Sequence, residues 1–181
     1  MKKLIFIFFL SCFLKSNAQI YSVKEGKITF FSKAPIENIE GTNTSVNSFL
    51  NTTTREVIFI VPITSFQFKD KLMQEHFNEN YMESNKYPTA TFNGKINEAV
   101  DLSKDGTYPV TVTGKLKIHG VEKEITEKGT ALVAAGQIKV ESEFVLMIRD
   151  FKIEVPKLVF QNIAENITVK ANLTYVPYKK N

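Results

Sequence analysis

Long stretches of the chain alternate between apolar and polar residues, which is the period of a β-strand with one buried face. The polar positions carry mostly Thr, Lys, Glu and Asn, as expected for faces that meet water. Several stretches are close to ten residues long, and the pattern predicts about eight antiparallel strands. The alternating segments are residues 28–32, 92–96, 110–118, 138–148 and 167–175.

One predicted strand, residues 57–63, is apolar on both faces apart from Pro62. A strand of this kind has to be covered on both sides. We therefore expect one face to border a core or cavity and the other to lie under a helix or a long loop.

A single segment between these strands has the period of a helix. Its apolar residues follow one another at spacings of four, one, four and four, which places them on one face of a helix over about residues 68–82. That face covers the apolar strand, or it closes one mouth of a barrel and contacts the tail of a ligand, and the two roles are compatible. The face consists of Phe68, Leu72, Met73, Phe77 and Tyr81.

Eight long antiparallel strands can close into a barrel, which removes exposed strand edges. A sandwich has the same period. The strand with two apolar faces and the eleven phenylalanines after residue 18 favour a barrel with an apolar interior. The sequence thus predicts an all-β chain with a roughly eight-stranded antiparallel barrel and one inserted amphipathic helix. No repeat or linker divides it, so one domain covers residues 19–178, with a short tail at 179–181.

The first eighteen residues have the layout of a secretory signal peptide. Two lysines precede an unbroken apolar run, and small residues follow that permit cleavage after Ala18. The run stops at Lys15, which makes it shorter than the roughly 20 residues of a transmembrane helix. We expect an exported protein, periplasmic in a bacterium of the Gram-negative type. Secretion into the medium and lipid anchoring at Cys12, after a loose lipobox, are the alternatives.

Removal of the signal changes the charge of the chain. The basic residues fall from 23 to 20 against 19 acids, so the formal charge falls from +4 to +1. A nearly neutral chain gives no argument for nucleic-acid binding or for a polybasic membrane contact. The interleaved lysines and glutamates between residues 115 and 128 indicate a mixed solvated surface rather than a basic patch.

The chain offers few groups for catalysis or metal binding. Its only cysteine leaves with the signal, and it has neither a Gly-x-Ser-x-Gly elbow nor a glycine-rich phosphate loop. His76 and His119 lack the spacing of metal ligands. We therefore expect His76 to be a helix residue at the barrel rim and His119 to be a turn residue. Arg55 and Arg149 could each hold an anionic headgroup. The simpler interpretations are that Arg55 is a solvated residue at the start of a strand and that Arg149 forms a local ion pair with an acid. We expect no cofactor and no metal.

Three motifs match those of a known family. Residues 114–125 contain a Gly-x-Leu-x-hydrophobic-x-Gly-Val stretch followed by Lys and a hydrophobic residue. Residues 72–92 contain a Leu, an aromatic, Tyr-Pro and then Phe, and residues 150–153 form an Asp-Phe-x-hydrophobic motif. In these motifs the chain resembles the YceI-like family, exported β-barrel proteins described as polyisoprenoid or lipid binders. Lys152 stands where the family has glycine, and the family's early Gly-x-Phe segment is Gly-Thr-Asn at 41–43 here. The matched residues are Gly114, Leu116, Ile118, Gly120, Val121, Lys123 and Ile125, then Leu72, Phe77, Tyr87, Pro88 and Phe92, then Asp150, Phe151 and Ile153.

The resemblance implies a lipocalin-like barrel whose apolar bore binds or carries a long isoprenoid or other long-chain lipid without catalysis. It is compatible with a homodimer, and it implies neither a nucleic-acid partner nor stable membrane insertion. An enzyme that acts on an apolar substrate in the same cavity, and a closed structural or interaction barrel, are the alternatives. The expected ligand-binding residues are Phe30, Phe59, Leu72, Phe77, Phe92, Leu116, Ile118, Phe144, Leu146 and Ile148.

Overall fold

The computed structural model of the protein describes residues 20–33, 38–154 and 165–179. The predicted signal peptide, its cleavage site and Cys12 lie outside the described residues. The strands are β1 (Ile20–Ser32), β2 (Ile39–Asn43), β3 (Asn47–Asn51), β4 (Glu56–Pro62), β5 (Thr89–Ile96), β6 (Gly106–Ile118), β7 (Val121–Ala134), β8 (Gln137–Met147) and β9 (Asn166–Pro177).

Eight of these strands form a closed antiparallel barrel, because β9 returns to pair with β1. Around the barrel the order is β1, β3, β4, β5, β6, β7, β8 and β9. The ninth strand, β2, pairs with the upper part of β1, from Ile28 to Ser32, whereas β3 pairs with its lower part, from Ile20 to Ser22. The predicted all-β fold with a roughly eight-stranded antiparallel barrel is confirmed.

The alternation in the sequence sets which side chains face inward. In β6, β8 and β9 the apolar positions of the pattern point into the barrel and the Thr, Lys and Glu positions point outward. The lower end, where β7 turns into β8, is closed by large side chains that are at most 2 % exposed. They are Tyr175, Leu50, Leu102 and Ile138.

The inserted helix is present but shorter than predicted. Helix α1 (Lys71–His76) is followed directly by a π-helical turn (Phe77–Tyr81). The side chain of Asp70 accepts a hydrogen bond from the Met73 N–H at 3.0 Å, so the helix begins after Phe68 and not at it. Single turns of 3-10 helix follow β4 (Ile63–Ser65) and β8 (Ile148–Phe151). No helix in the described part of the chain is long and apolar enough to cross a membrane.

The outer face of β4 differs from the expectation. Ile58 and Ile60 are 41 % and 40 % exposed, and in the described residues neither a helix nor a loop covers them. The neighbouring Phe49 of β3, opposite Ile58, is also exposed and contacts the ring of Tyr178 with the ring centroids 5.8 Å apart. The prediction of a covered outer face was wrong, because α1 packs at the upper end of the barrel, where β4 ends.

Candidate functional site

The barrel encloses an apolar cavity of about 280 Å³, to which each of its eight strands contributes. This volume is just below the ~300–1,000 Å³ that is common for small-molecule sites. The lining consists almost entirely of aliphatic and aromatic side chains, with only Glu127 and Lys128 as charged residues among the described ones. The cavity can therefore hold an apolar chain.

Four phenylalanines from different parts of the chain form the upper wall. The ring of Phe77, from the π-helical turn, stacks on Phe30 of β1 at 5.4 Å and lies 4.9 Å from Phe68. Phe66 contacts both Phe30 and Phe77 at 5.4 and 5.5 Å. Gly41 lies opposite Phe30, and a Cβ there would come within 2.5 Å of that ring. The glycine of β2 thus provides the space that the aromatic cluster needs.

The lower end contains a buried polar pair. The Tyr175 hydroxyl lies 2.6 Å from Ser48 Oγ, and Ser48 Oγ donates to the Ile58 carbonyl at 2.7 Å. Because a serine hydroxyl has a single proton, Tyr175 donates to Ser48. Burial raises the pKa of the Tyr175 phenol, which keeps it neutral. The pair is internally satisfied and adds no charge to the cavity.

The side wall is interrupted between β7 and β8. These strands pair only from Gly129 to Ala134, opposite residues 137–142. Above this ladder, residues 121–128 of β7 and 143–147 of β8 diverge, and no described strand pairs with either edge there. We call this unpaired stretch of the wall the lateral gap; the 3-10 turn Ile148–Phe151 contacts β7 at its upper end. Ser142 Oγ donates to the Lys128 carbonyl at 2.6 Å and closes its lower corner.

Glu127 lies beside the lateral gap and was missed by the sequence reasoning, which assigned residues 115–128 to a solvated surface. It pairs in register with Val112, whose side chain lines the cavity, so Glu127 also points inward. Burial raises the pKa of its carboxyl. Ile125 and Ala131 occupy the same face of β7, but so does Lys123, so the period alone does not single out Glu127.

The structure brings nine of the ten expected ligand-binding residues to the cavity wall and leaves out Leu72. Leu72 is 59 % exposed, while the next residue, Met73, lines the cavity. Met73 and Phe77, four residues apart, form the face of the helical segment that points to the cavity, and Leu72 lies beside that face. The nine residues on the wall are Phe30, Phe59, Phe77, Phe92, Leu116, Ile118, Phe144, Leu146 and Ile148.

Sequence reasoning also missed several lining residues. Met73, Tyr81 and Met82 cover the upper end, and Leu102 comes from the connection between β5 and β6. Met73 and Tyr81 belonged to the predicted helical face, but nothing in the local pattern around Leu102 indicates its position.

The two arginines do not reach the cavity. Arg55 donates to the Asn97 carbonyl at 3.1 Å, and Arg149 pairs with Glu165 at 3.3 Å on the surface. Neither is placed to hold a headgroup inside the barrel.

His119 is a turn residue, as predicted, and it connects three parts of the upper end. Its Nε2 lies 2.8 Å from the Glu83 carboxylate and its Nδ1 lies 3.2 Å from the Phe151 carbonyl. The ring also contacts that of Tyr87 at 4.5 Å. Among the described residues, no group of three or more His, Cys, Asp or Glu side chains is placed to hold a metal ion.

Fold and cavity define a class of protein, the eight-stranded antiparallel barrels that enclose an apolar binding cavity. A family model for the YceI-like domain matches residues 20–175. The chain belongs to the YceI-like family, as its motifs indicated. A comparison with curated proteins finds no match.

Solved structures share the fold at low sequence identity. A polyisoprenoid binding domain from Saccharophagus degradans, implicated in plant cell wall breakdown, superimposes with a TM-score of 0.75 at 18 % identity, covering 87 % of this chain and 98 % of that one. Burkholderia cenocepacia BcnA gives 0.71 at 19 % identity, covering 82 % and 95 %. The Campylobacter jejuni YceI protein gives 0.54 at 16 % identity, covering 99 % and 100 %. At these identities the likeness concerns the fold.

Proposed function

We propose that the chain binds the apolar tail of an isoprenoid or other long-chain lipid in the barrel cavity and carries it without changing it chemically. The observation that carries the proposal is the cavity itself, enclosed by eight strands and lined almost wholly by apolar side chains. The related domain from Saccharophagus degradans is a polyisoprenoid binding domain, which supports the same class of ligand here.

The energetics suit a long apolar ligand. Each buried methylene contributes about 0.8 kcal/mol, and association costs about 4–15 kcal/mol in lost freedom and ordering. A ligand with no polar contact therefore needs a chain of many carbons to bind well. The aromatic cluster of Phe30, Phe66, Phe68 and Phe77 offers a surface for such a chain at the upper end.

A carrier rather than an enzyme is supported by the residues on the wall. The described lining includes no histidine and no cysteine, and its acid, Glu127, has no second acid beside it on the wall. Acid–base chemistry on an apolar substrate commonly uses a positioned pair of such groups.

Native mass spectrometry of the protein purified from its own source tests the proposal. We expect a bound species with the mass of an isoprenoid or fatty lipid that dissociates on denaturation. A protein that carries no lipid and takes up none from mixed vesicles contradicts the proposal and favours a closed structural barrel. A bound lipid that is converted into a product favours an enzyme.

Export to the periplasm is a second part of the proposal and rests on the N-terminal sequence alone. N-terminal sequencing of the protein from its source should start at Gln19. A start at Met1 contradicts export by this signal. A chain that starts at a lipid-modified Cys12 shows that the protein is exported in a lipid-anchored form.

The homodimer stays a prediction, and light scattering on the purified protein measures the oligomeric state.

A further inference from the structure

Along the lateral gap the described strands β7 and β8 are unpaired, and the 3-10 turn Ile148–Phe151 contacts β7 at its upper end. The two edges of the gap are unpaired in the described residues, and several of the side chains that border it internally also line the cavity. They are mostly apolar, like the rest of the wall. Among the inward side chains that line the cavity here, the charged one is Glu127, two residues above the start of the β7–β8 ladder at Gly129.

Glu127 lies in apolar surroundings. Ile125 precedes it on the same face, Gly129 follows it, and Val112 lies opposite in β6. It takes part in none of the hydrogen bonds or ion pairs formed by the described residues. Glu127 is partly buried, and the apolar surroundings raise the pKa of its carboxyl, so a polar group of a bound ligand would find there an acid with no partner in the described wall.

The surrounding charges do not supply a partner from within the wall. Lys128 borders the cavity as well, but it occupies the outward position of β7 and is exposed. Lys123 shares the inward face with Glu127, in register with Leu116, but it is exposed and forms no ion pair with Glu127. Lys115 and Glu122 pair with each other at 3.0 Å on the surface. The acid at the lateral gap is thus available to a bound molecule.

We propose, on the basis of the proposed function, that the polar end of the lipid lies at the lateral gap and that Glu127 selects a headgroup that donates hydrogen bonds. An ionised carboxylate only accepts hydrogen bonds, so it matches the O–H of an alcohol or the N–H of an amine. A phosphate or carboxylate headgroup would bring a second negative charge to a partly desolvated acid, which is unfavourable. Glu127 is a specificity-determining residue in this account, and the apolar wall supplies the affinity for the chain.

The test uses four probes with the same twelve-carbon chain: dodecan-1-ol, dodecylamine, dodecanoate and dodecyl phosphate. Their dissociation constants are measured by calorimetry at pH 7 for the mature chain and for Glu127→Gln. The matched control is Glu124→Gln, which removes the same charge from the outward, exposed face of the same strand. The dissociation constant of each probe is compared between variants, so that the hydration free energy of the free probe cancels.

Relative to dodecan-1-ol, we expect Glu127→Gln to bind dodecyl phosphate and dodecanoate about tenfold more tightly than wild type does. We expect it to bind dodecylamine about tenfold more weakly, because one contact with a charged group commonly changes the dissociation constant by that factor. Glu124→Gln should leave all four ratios unchanged. If Glu127→Gln does not fold, as judged by circular dichroism, Glu127→Leu provides the same comparison without the polar amide.

The outcomes separate the two proposals. Wild-type protein that binds none of the four probes contradicts the lipid-binding function itself. Probes that bind with the same ratios in wild type and Glu127→Gln, or a shift that Glu124→Gln reproduces, overturn the role of Glu127 and leave the apolar-chain function intact.

Discussion

The hydroxyl of Tyr175 donates a hydrogen bond to Ser48 Oγ at 2.6 Å, although 127 residues separate the two along the chain. Tyr175 belongs to β9 and Ser48 to β3, and the lower end of β1 pairs with both strands. Each side chain is 1 % exposed. The contact therefore joins both neighbours of the first strand from inside the barrel, where an unpaired polar group would be costly.

The two members of this pair should differ in their contribution to stability. Tyr175→Phe removes one hydrogen bond while Ser48 still donates to Ile58, so we expect a loss of about 1 kcal/mol. Ser48→Ala leaves the buried Tyr175 hydroxyl without its acceptor, and we expect a loss of about 2 kcal/mol. Urea unfolding measures both. Equal losses, or a larger one for Tyr175→Phe, would contradict the assignment of donor and acceptor.

The same tyrosine should make stability fall at alkaline pH. Burial raises the pKa of Tyr175 in the folded chain above the value of about 10 expected when unfolded. The unfolded state therefore loses this proton first as the pH rises. The contribution of Tyr175 to the free energy of unfolding has its full value below pH 10 and decreases as the pH rises further. We expect a loss of about 1.4 kcal/mol per pH unit above 10 from this group.

Tyr175→Phe is the control for the alkaline decrease. It should lack this part of the pH dependence while keeping that of Tyr81, whose pKa burial also raises. Parallel curves of unfolding free energy against pH for wild type and Tyr175→Phe would show that the phenol does not titrate differently in the two states.

A pair of glycines permits β5 and β6 to come close inside the barrel. Gly94 and Gly114 face each other, and a Cβ on Gly114 would clash with the Gly94 Cα and lie 2.5 Å from the Asn93 carbonyl. The ring of Phe92 occupies the space over the pair. Gly114→Ala should cost about 1–3 kcal/mol in urea unfolding, because backbone atoms have to move. Lys117→Ala, at an exposed position of the same strand, should change stability by less than about 0.5 kcal/mol. If the two substitutions had a similar cost, the close approach of β5 and β6 at the glycine pair would be contradicted.

Lys152 occupies a left-handed backbone conformation, with φ 54° and ψ 32°. The fold thus keeps, with a lysine, the conformation that suits the glycine of the family motif. A left-handed residue with a side chain costs about 1–2 kcal/mol, partly offset by the entropy that glycine loses on folding. Lys152→Gly should therefore stabilise the chain by about 0.5–1 kcal/mol in thermal unfolding. Lys152→Ala keeps the Cβ and should give no gain; a gain of the same size would point to the lysine charge instead.

The barrel could be predicted from sequence because strand alternation records which face is buried. The same alternation predicts that Leu116, Phe144 and Ile148 share the apolar faces of their strands, and all three line the cavity. It could not separate Leu72 from Met73, because neighbouring apolar residues of a helix both fit its apolar face and only packing decides which one points to the cavity.

Other features depend on how distant strands meet. Ile58 and Ile60 stay exposed because the helix packs at the end of the barrel, which local sequence does not encode. Glu127 was hidden because charged residues occupy both faces of its part of β7, and its inward direction follows from the register with β6. The lateral gap itself arises where the β7–β8 ladder stops at Gly129, and no motif marks that position.

The central claim, that an apolar chain occupies the cavity, is tested most directly by filling the cavity and measuring binding. The chain has no tryptophan, so Leu116→Trp both reduces the space at the wall and reports on it by fluorescence, while Lys117→Trp places the same ring outside on the next residue. With both variants folded, we expect dodecan-1-ol to bind Leu116→Trp at least about tenfold more weakly than wild type, since overpacking a filled site costs about 1–3 kcal/mol. Lys117→Trp should bind as wild type does. Equal affinities for all three proteins would contradict binding inside the barrel.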